Sequence, residues 1–144
     1  MASWSGVRAV IAAATREGVL ADAVLGNPGV GTVVHPRPTR MSARKLWIAF
    51  AVASSGRVVV DEGAQWALTR RNVSLLPAGV VSVEGTFGEG DAVEIVGPGG
   101  EVFAKGLARI GAADLSRAAG RRSNERPDGM AIEAVHRDDL VIVP

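Results

Sequence analysis

The chain contains no cysteine among its 144 residues, so neither a disulfide framework nor a thiolate metal site is open to it. No apolar run approaches the roughly 18 residues that a bilayer-spanning helix needs. Arg8 interrupts the first apolar stretch and no cleavage pattern follows it, so the N-terminus does not read as a signal peptide. His35 and His136 are the only histidines, and neither stands at metal-ligand spacing from a carboxylate, which argues against a metal site. No serine or threonine has a credible base partner for nucleophilic work. Internal repeats and low-complexity tracts are absent as well. This pattern fits a cytoplasmic chain with no membrane partner and no cofactor of its own.

What is present is an ordinary globular composition, 47% hydrophobic, in a length that suits one domain or one and a fraction. The net charge of +1 hides an asymmetry. Up to Arg57 there are seven bases against two acids; from Val58 onward there are nine bases against thirteen acids. The first part is thus net +5 and the rest −4. Phosphate contacts dominate nucleic-acid affinity, so the −4 part is a poor starting point for tight RNA binding.

Val7 to Ala14 is a nearly continuous apolar run and predicts a parallel strand buried on both faces. Gly18 to Leu25 predicts a short helix ended by Gly26, and Gly31 to His35 a second strand. This strand–helix–strand piece falls below the roughly 40 residues usually needed to fold alone. Pro36-Arg37-Pro38 reads as an extended linker. Ser42 can cap a helix to about Val52, with Leu46, Trp47 and Phe50 on one face. From Arg57 the signals change. Val58 to Val60 reads as a strand, and Asp61 caps a helix whose buried face is Ala64, Ala67 and Leu68. Pro77 to Gly79 turns into a strand at Val80 to Glu84. Two further strands, Asp91 to Val96 and Glu101 to Ile110, flank the turn Gly97-Pro98-Gly99-Gly100. A short helix at Asp114 to Ala119, a polar loop at Arg121 to Asp128 and a closing strand at Leu140 to Val143 complete the chain.

Several motifs invite chemistry. His136-Arg137-Asp138 matches the protein-kinase catalytic triplet, but the other parts of that signature are missing, and a polar lead into the last strand accounts for it. Gly26, Gly29 and Gly31 follow a helix and precede a strand, the reverse of a dinucleotide loop. Trp66 lies about 200° around its helix from Ala64 and can meet Arg70 four residues on. It either stacks on a nucleobase or packs on the helix before it or on a larger body. Arg117, Arg121, Arg122 and Arg126 make a local basic patch, and Arg37, Arg40, Arg44 and Lys45 a basic linker.

The order of a β-branched run ending at Asp61, a short helix, Leu75-Leu76-Pro77-Ala78-Gly79 and strands broken by Gly90-Asp91 resembles a PUA domain, a small β-barrel module. The helix Arg40 to Phe50, preceded by Gly31-Thr32 and joined to such a barrel, resembles the C-terminal third of bacterial glutamate 5-kinase. His136 to Asp139 before an apolar strand fits the end of the same barrel. The fold this implies is α+β: a PUA-type β-barrel with short helices, preceded by a strand–helix–strand remnant of an α/β amino-acid-kinase domain. The expected divisions are 1–36 for the remnant, 37–56 for the linker and helix, and 57–144 for the barrel. The resemblance implies a parent activity, ATP- and magnesium-dependent phosphorylation of L-glutamate to glutamyl 5-phosphate in proline synthesis. The family's phosphate-holding and catalytic residues lie ahead of the region this chain resembles, so the chain itself is expected to be inactive. The implied partners are the kinase domain of the same protein and further copies in an oligomer. The apolar strand Val7 to Ala14, left without neighbours, predicts self-association through the first 35 residues, the alternative being that they fold back on the barrel or stay mobile. Gly63, Pro77, Ala78, Gly79 and Lys105-Gly106 match positions around the groove in which PUA domains of RNA-modifying enzymes hold RNA; Trp66 and Arg70 join this candidate RNA or partner groove from their helical spacing and not from the family pattern. The alternative function is therefore an RNA-binding module, with weak binding expected here.

Overall fold

A computed structural model describes residues 2–38, 41–121 and 133–143. The chain divides into two compact units, Met1–Leu46 and Trp47–Pro144.

In the first unit a 3-10 turn, Ala2–Trp4, precedes strand β1 (Ala9–Ile11), helix α1 (Val19–Leu25) and strand β2 (Thr32–Val34). Gly26 ends α1 in the left-handed conformation, which glycine adopts without steric cost. The expected order of strand, helix and strand is present, but the expected parallel, doubly covered strand is not. β1 and β2 pair antiparallel, with Val10 opposite Val33, and Val7 and Ile11 are exposed. A parallel pair needs a crossover that lays a helix across its sheet. The seven-residue α1 and its turn return the chain antiparallel instead, and a two-stranded sheet has no second layer to bury both its faces.

Helix α2 (Ala43–Phe50) begins where Ser42 predicts it, with the Ser42 hydroxyl accepting from the Lys45 amide at 3.3 Å. Its buried residue is Ile48, whereas Trp47 and Phe50 remain exposed. The apolar face of α2 is thus rotated from the expected Leu46–Trp47–Phe50 stripe.

The second unit is a five-stranded sheet in the order β4-β3-β5-β6-β7. Its strands are β3 (Gly56–Val60), β4 (Val80–Gly85), β5 (Ala92–Val96), β6 (Val102–Ala108) and β7 (Val135–Ile142). Neighbours run antiparallel except β3 and β5, which are parallel. Helix α3 (Glu62–Arg71) follows β3, and helix α4 (Ala112–Ala118) follows β6. The two edges are drawn together ahead of β4. Leu75 bridges Val135 of β7, its amide donating to the Val135 carbonyl at 2.9 Å. The chain then turns through Pro77–Gly79 straight into β4, and so the sheet closes into a barrel. Val58, Val60, Leu68, Leu75, Val93, Ile95, Leu115 and Val135 form its core. β7 takes in His136, Arg137, Asp138 and Asp139, so these residues lie within the last strand and do not merely precede it. The expected polar loop lies almost wholly outside the described residues, as do Arg122 and Arg126.

Candidate functional site

The site is built where α3 leaves β3. Asp61 is extended, and its carboxylate accepts from the Ala64 amide at 2.7 Å. This caps the helix and satisfies one of its orphan amides. The Asp61 amide in turn donates to the Gly79 carbonyl at 3.0 Å, which pins the Pro77–Gly79 turn against the start of α3. Gly79 is required there. A Cβ on it would come within 2.6 Å of the Ala64 Cβ, closer than side chains approach.

Between α3, the Val73–Leu76 segment and that turn lies a groove of about 530 Å³. Gly63, Ala78 and Gly79, all expected at a groove, line it together with Ala64, Ala67 and Leu75. Asp61, Arg71 and Ser74 are its polar lining residues. Sequence alone does not single out these three as site residues, because each also serves the local structure. Asp61 is the cap, Arg71 closes the last turn of α3, and Ser74 accepts from the Arg137 amide at 3.0 Å.

The other expected residues are not brought together there. Pro77 is fully buried and supports the turn from beneath. Trp66 stands on the exposed side of α3, and its ring carries the Arg71 guanidinium at 4.6 Å, not that of Arg70. Five residues exceed the usual reach along a helix, but Arg71 is the last residue of α3, where no following turn confines its side chain. Lys105, on β6, donates its ammonium to the Val52 carbonyl just beyond α2, so it is committed within the fold. Of the basic linker, Arg37 stacks on the Trp4 ring at 4.0 Å, Arg40 lies outside the described residues, Arg44 is exposed and Lys45 is half-buried.

Elsewhere the chemistry is sparse. Glu101, beside the β5–β6 turn, accepts from the Gln65 amide of α3 at 2.6 Å. Its own backbone amide first, and then Gln65, hold its carboxyl below the usual carboxylate range. His136 has Glu133 at 3.9 Å and Asp138 at 3.6 Å. Among the described residues no group of three or more ligating side chains could hold a metal ion. The glycines comparable with a dinucleotide loop are structural: Gly26 caps α1, and Gly31 packs directly on the Ile11 carbonyl. Among the described residues no helix is long and apolar enough to cross a membrane.

Barrel, capped helix and glycine turn together define the class. The family model described as the PUA domain matches residues 56–128, just over half of the chain, and the chain belongs to the PUA domain family. Its wider likeness is to glutamate 5-kinases. It is 43% identical over 145 residues to that of Syntrophotalea carbinolica, covering 98% of this chain and 39% of the relative. To that of Frankia casuarinae it is 44% identical over 147 residues, covering 99% and 38%. The chain thus spans about two-fifths of the length of these relatives, and the matched region is their C-terminal part. Among solved structures, a PUA domain from Aeropyrum pernix K1, in a tartrate complex, is 33% identical with a TM-score of 0.45, covering 58% of this chain and 43% of that one.

Proposed function

We propose that this chain is the non-catalytic C-terminal module of a glutamate 5-kinase, and that it acts by docking on the kinase body. The body would carry out the ATP- and magnesium-dependent phosphorylation of L-glutamate to glutamyl 5-phosphate. The observation that carries this reading is the extent of the match. Similarity to glutamate 5-kinases runs through 98–99% of the chain, yet takes in only 38–39% of the relatives. The described residues support a module that binds rather than reacts. The His136-Arg137-Asp138 triplet is part of a ladder strand, and its strand setting is not that of a kinase catalytic loop. The groove offers an apolar lining, one carboxylate already used as a cap and one guanidinium already stacked on Trp66.

The test is an assay for γ-glutamyl phosphate on the purified chain with ATP, magnesium and glutamate, trapping the product as its hydroxamate. No product above the buffer control is expected. Turnover above that control would overturn the non-catalytic reading.

A further inference from the structure

Strand β7 leaves its ladder close to where the barrel closes. Ala108 of β6 pairs with Val135 and Gly106 with Leu140, so Leu107 alone stands opposite His136, Arg137, Asp138 and Asp139. These four residues form a long bulge, and a bulge re-aims the side chains it carries. β6 is shaped to receive it. A Cβ on Gly106 would come within 2.5 Å of the Val135 side chain and 3.0 Å of the Asp139 carbonyl. The same backbone holds the groove. The Leu75 amide donates to the Val135 carbonyl at 2.9 Å, the Arg137 amide donates to the Ser74 hydroxyl at 3.0 Å, and Ser74 and Leu75 both line the groove.

A histidine pins the bulge. The Asp138 amide donates to His136 Nδ1 at 3.2 Å, and only a neutral imidazole with its proton on Nε2 can accept there. Carboxylates flank the same ring. Asp138 Oδ2 is 3.6 Å from Nδ1, and Glu133 Oε2 is 3.9 Å from Nε2. Arg137 is the cation of the bulge, with its Nε 3.8 Å from Asp138 Oδ1. The elements packed on β7 bring little other charge to the ring. The charged residue of β6 is Lys105, opposite Val141 and held by the Val52 carbonyl. Arg109, just past β6, binds the Ala134 carbonyl through its amide. The 73–75 segment along the opposite edge carries no charge, and Arg71 ahead of it lies on Trp66.

A proton taken up at Nδ1 turns this acceptor into a donor. The Asp138 amide then loses its partner, and two ring N–H groups face the carboxylates of Asp138 and Glu133. Both contacts are longer than a hydrogen bond, so the ring and the bulge have to move to make them. We propose that the 136–139 bulge is a proton-operated switch on the groove wall. With His136 neutral, the Asp138 amide is bound at Nδ1 and Arg137 holds Ser74. With His136 protonated, the ring turns to the two carboxylates, the bulge shifts, and Ser74 and Leu75 move with it. The shape of the groove thereby follows pH.

Nuclear magnetic resonance on the full chain tests this, with the pH taken from about 8 to about 5, the span in which histidine ordinarily changes charge. The amide signals of Asp138, Ser74 and Leu75 should shift together, at the midpoint shown by the ring signals of His136. His136→Gln offers an acceptor but takes up no proton, so all three shifts should be lost in it. Circular dichroism checks that the variant keeps its fold. Amides that stay still in the unaltered chain, or that shift as far in the variant, overturn the proposal. The ring tautomer is a second measure that needs no variant. At the upper pH the proton should reside on Nε2, and a ring protonated on Nδ1 there overturns the proposal.

Discussion

At the scale of single residues, the site depends on closeness of approach more than on charge. Gly79→Ala forces a Cβ against Ala64 and should cost about 1–3 kcal/mol, read as a lower urea midpoint with an unchanged slope. Asp61→Ala removes the cap on α3 and should cost about 1 kcal/mol by the same measurement. Glu101 gives a pH signature. Its folded-state carboxyl is depressed by its own amide and by Gln65, so its contribution is present above the unfolded value and is lost as pH falls through the folded one. Gln65→Ala should narrow the stability difference between pH 7 and pH 3 relative to the parent chain. An unchanged difference would show that the Gln65 contact does not matter. Asp61, Ala64 and Gly79 are visible in the sequence because capping and turn chemistry are local. The pairing of Trp66 with Arg71 is not, since the freedom of a helix's last side chain depends on where the helix ends. The use of Lys105 on the Val52 carbonyl is also hidden, because the two are 53 residues apart.

At the scale of elements, the barrel strands and α3 can be read from β-branched alternation, caps and glycine turns. The first unit can be read only in its order. Its apolar run Val7 to Ala14 matches a strand buried on both faces, and the length of such a run does not reveal whether a second layer exists to cover it. In α2 the expected stripe is misplaced because Leu46, Trp47, Ile48 and Phe50 are all apolar, so periodicity alone does not choose which of them turns inward. The barrel carries its own core, drawn from β3 through β7. A truncated chain beginning at Ser54 should therefore unfold in one cooperative thermal transition with a dispersed amide spectrum. A molten spectrum would mean that the barrel relies on the residues before it.

At the scale of the whole molecule, charge separates docking from nucleic-acid binding. The part from Val58 onward is net −4, and two of the cations expected at an RNA surface have partners in the fold: Lys105 on Val52 and Arg37 on Trp4. Binding that neutralises several phosphates falls by about 10³ or more between 50 and 200 mM salt, whereas apolar docking has no such dependence. The most direct test of docking is a titration of the intact chain, at both salt concentrations, against the N-terminal part of a glutamate 5-kinase and against a single-stranded RNA. A docking module should bind the kinase part at both salts and RNA only weakly, with the RNA binding lost at the higher salt. Tight RNA binding at 200 mM salt that Trp66→Ala abolishes, with no binding to the kinase part, would contradict it.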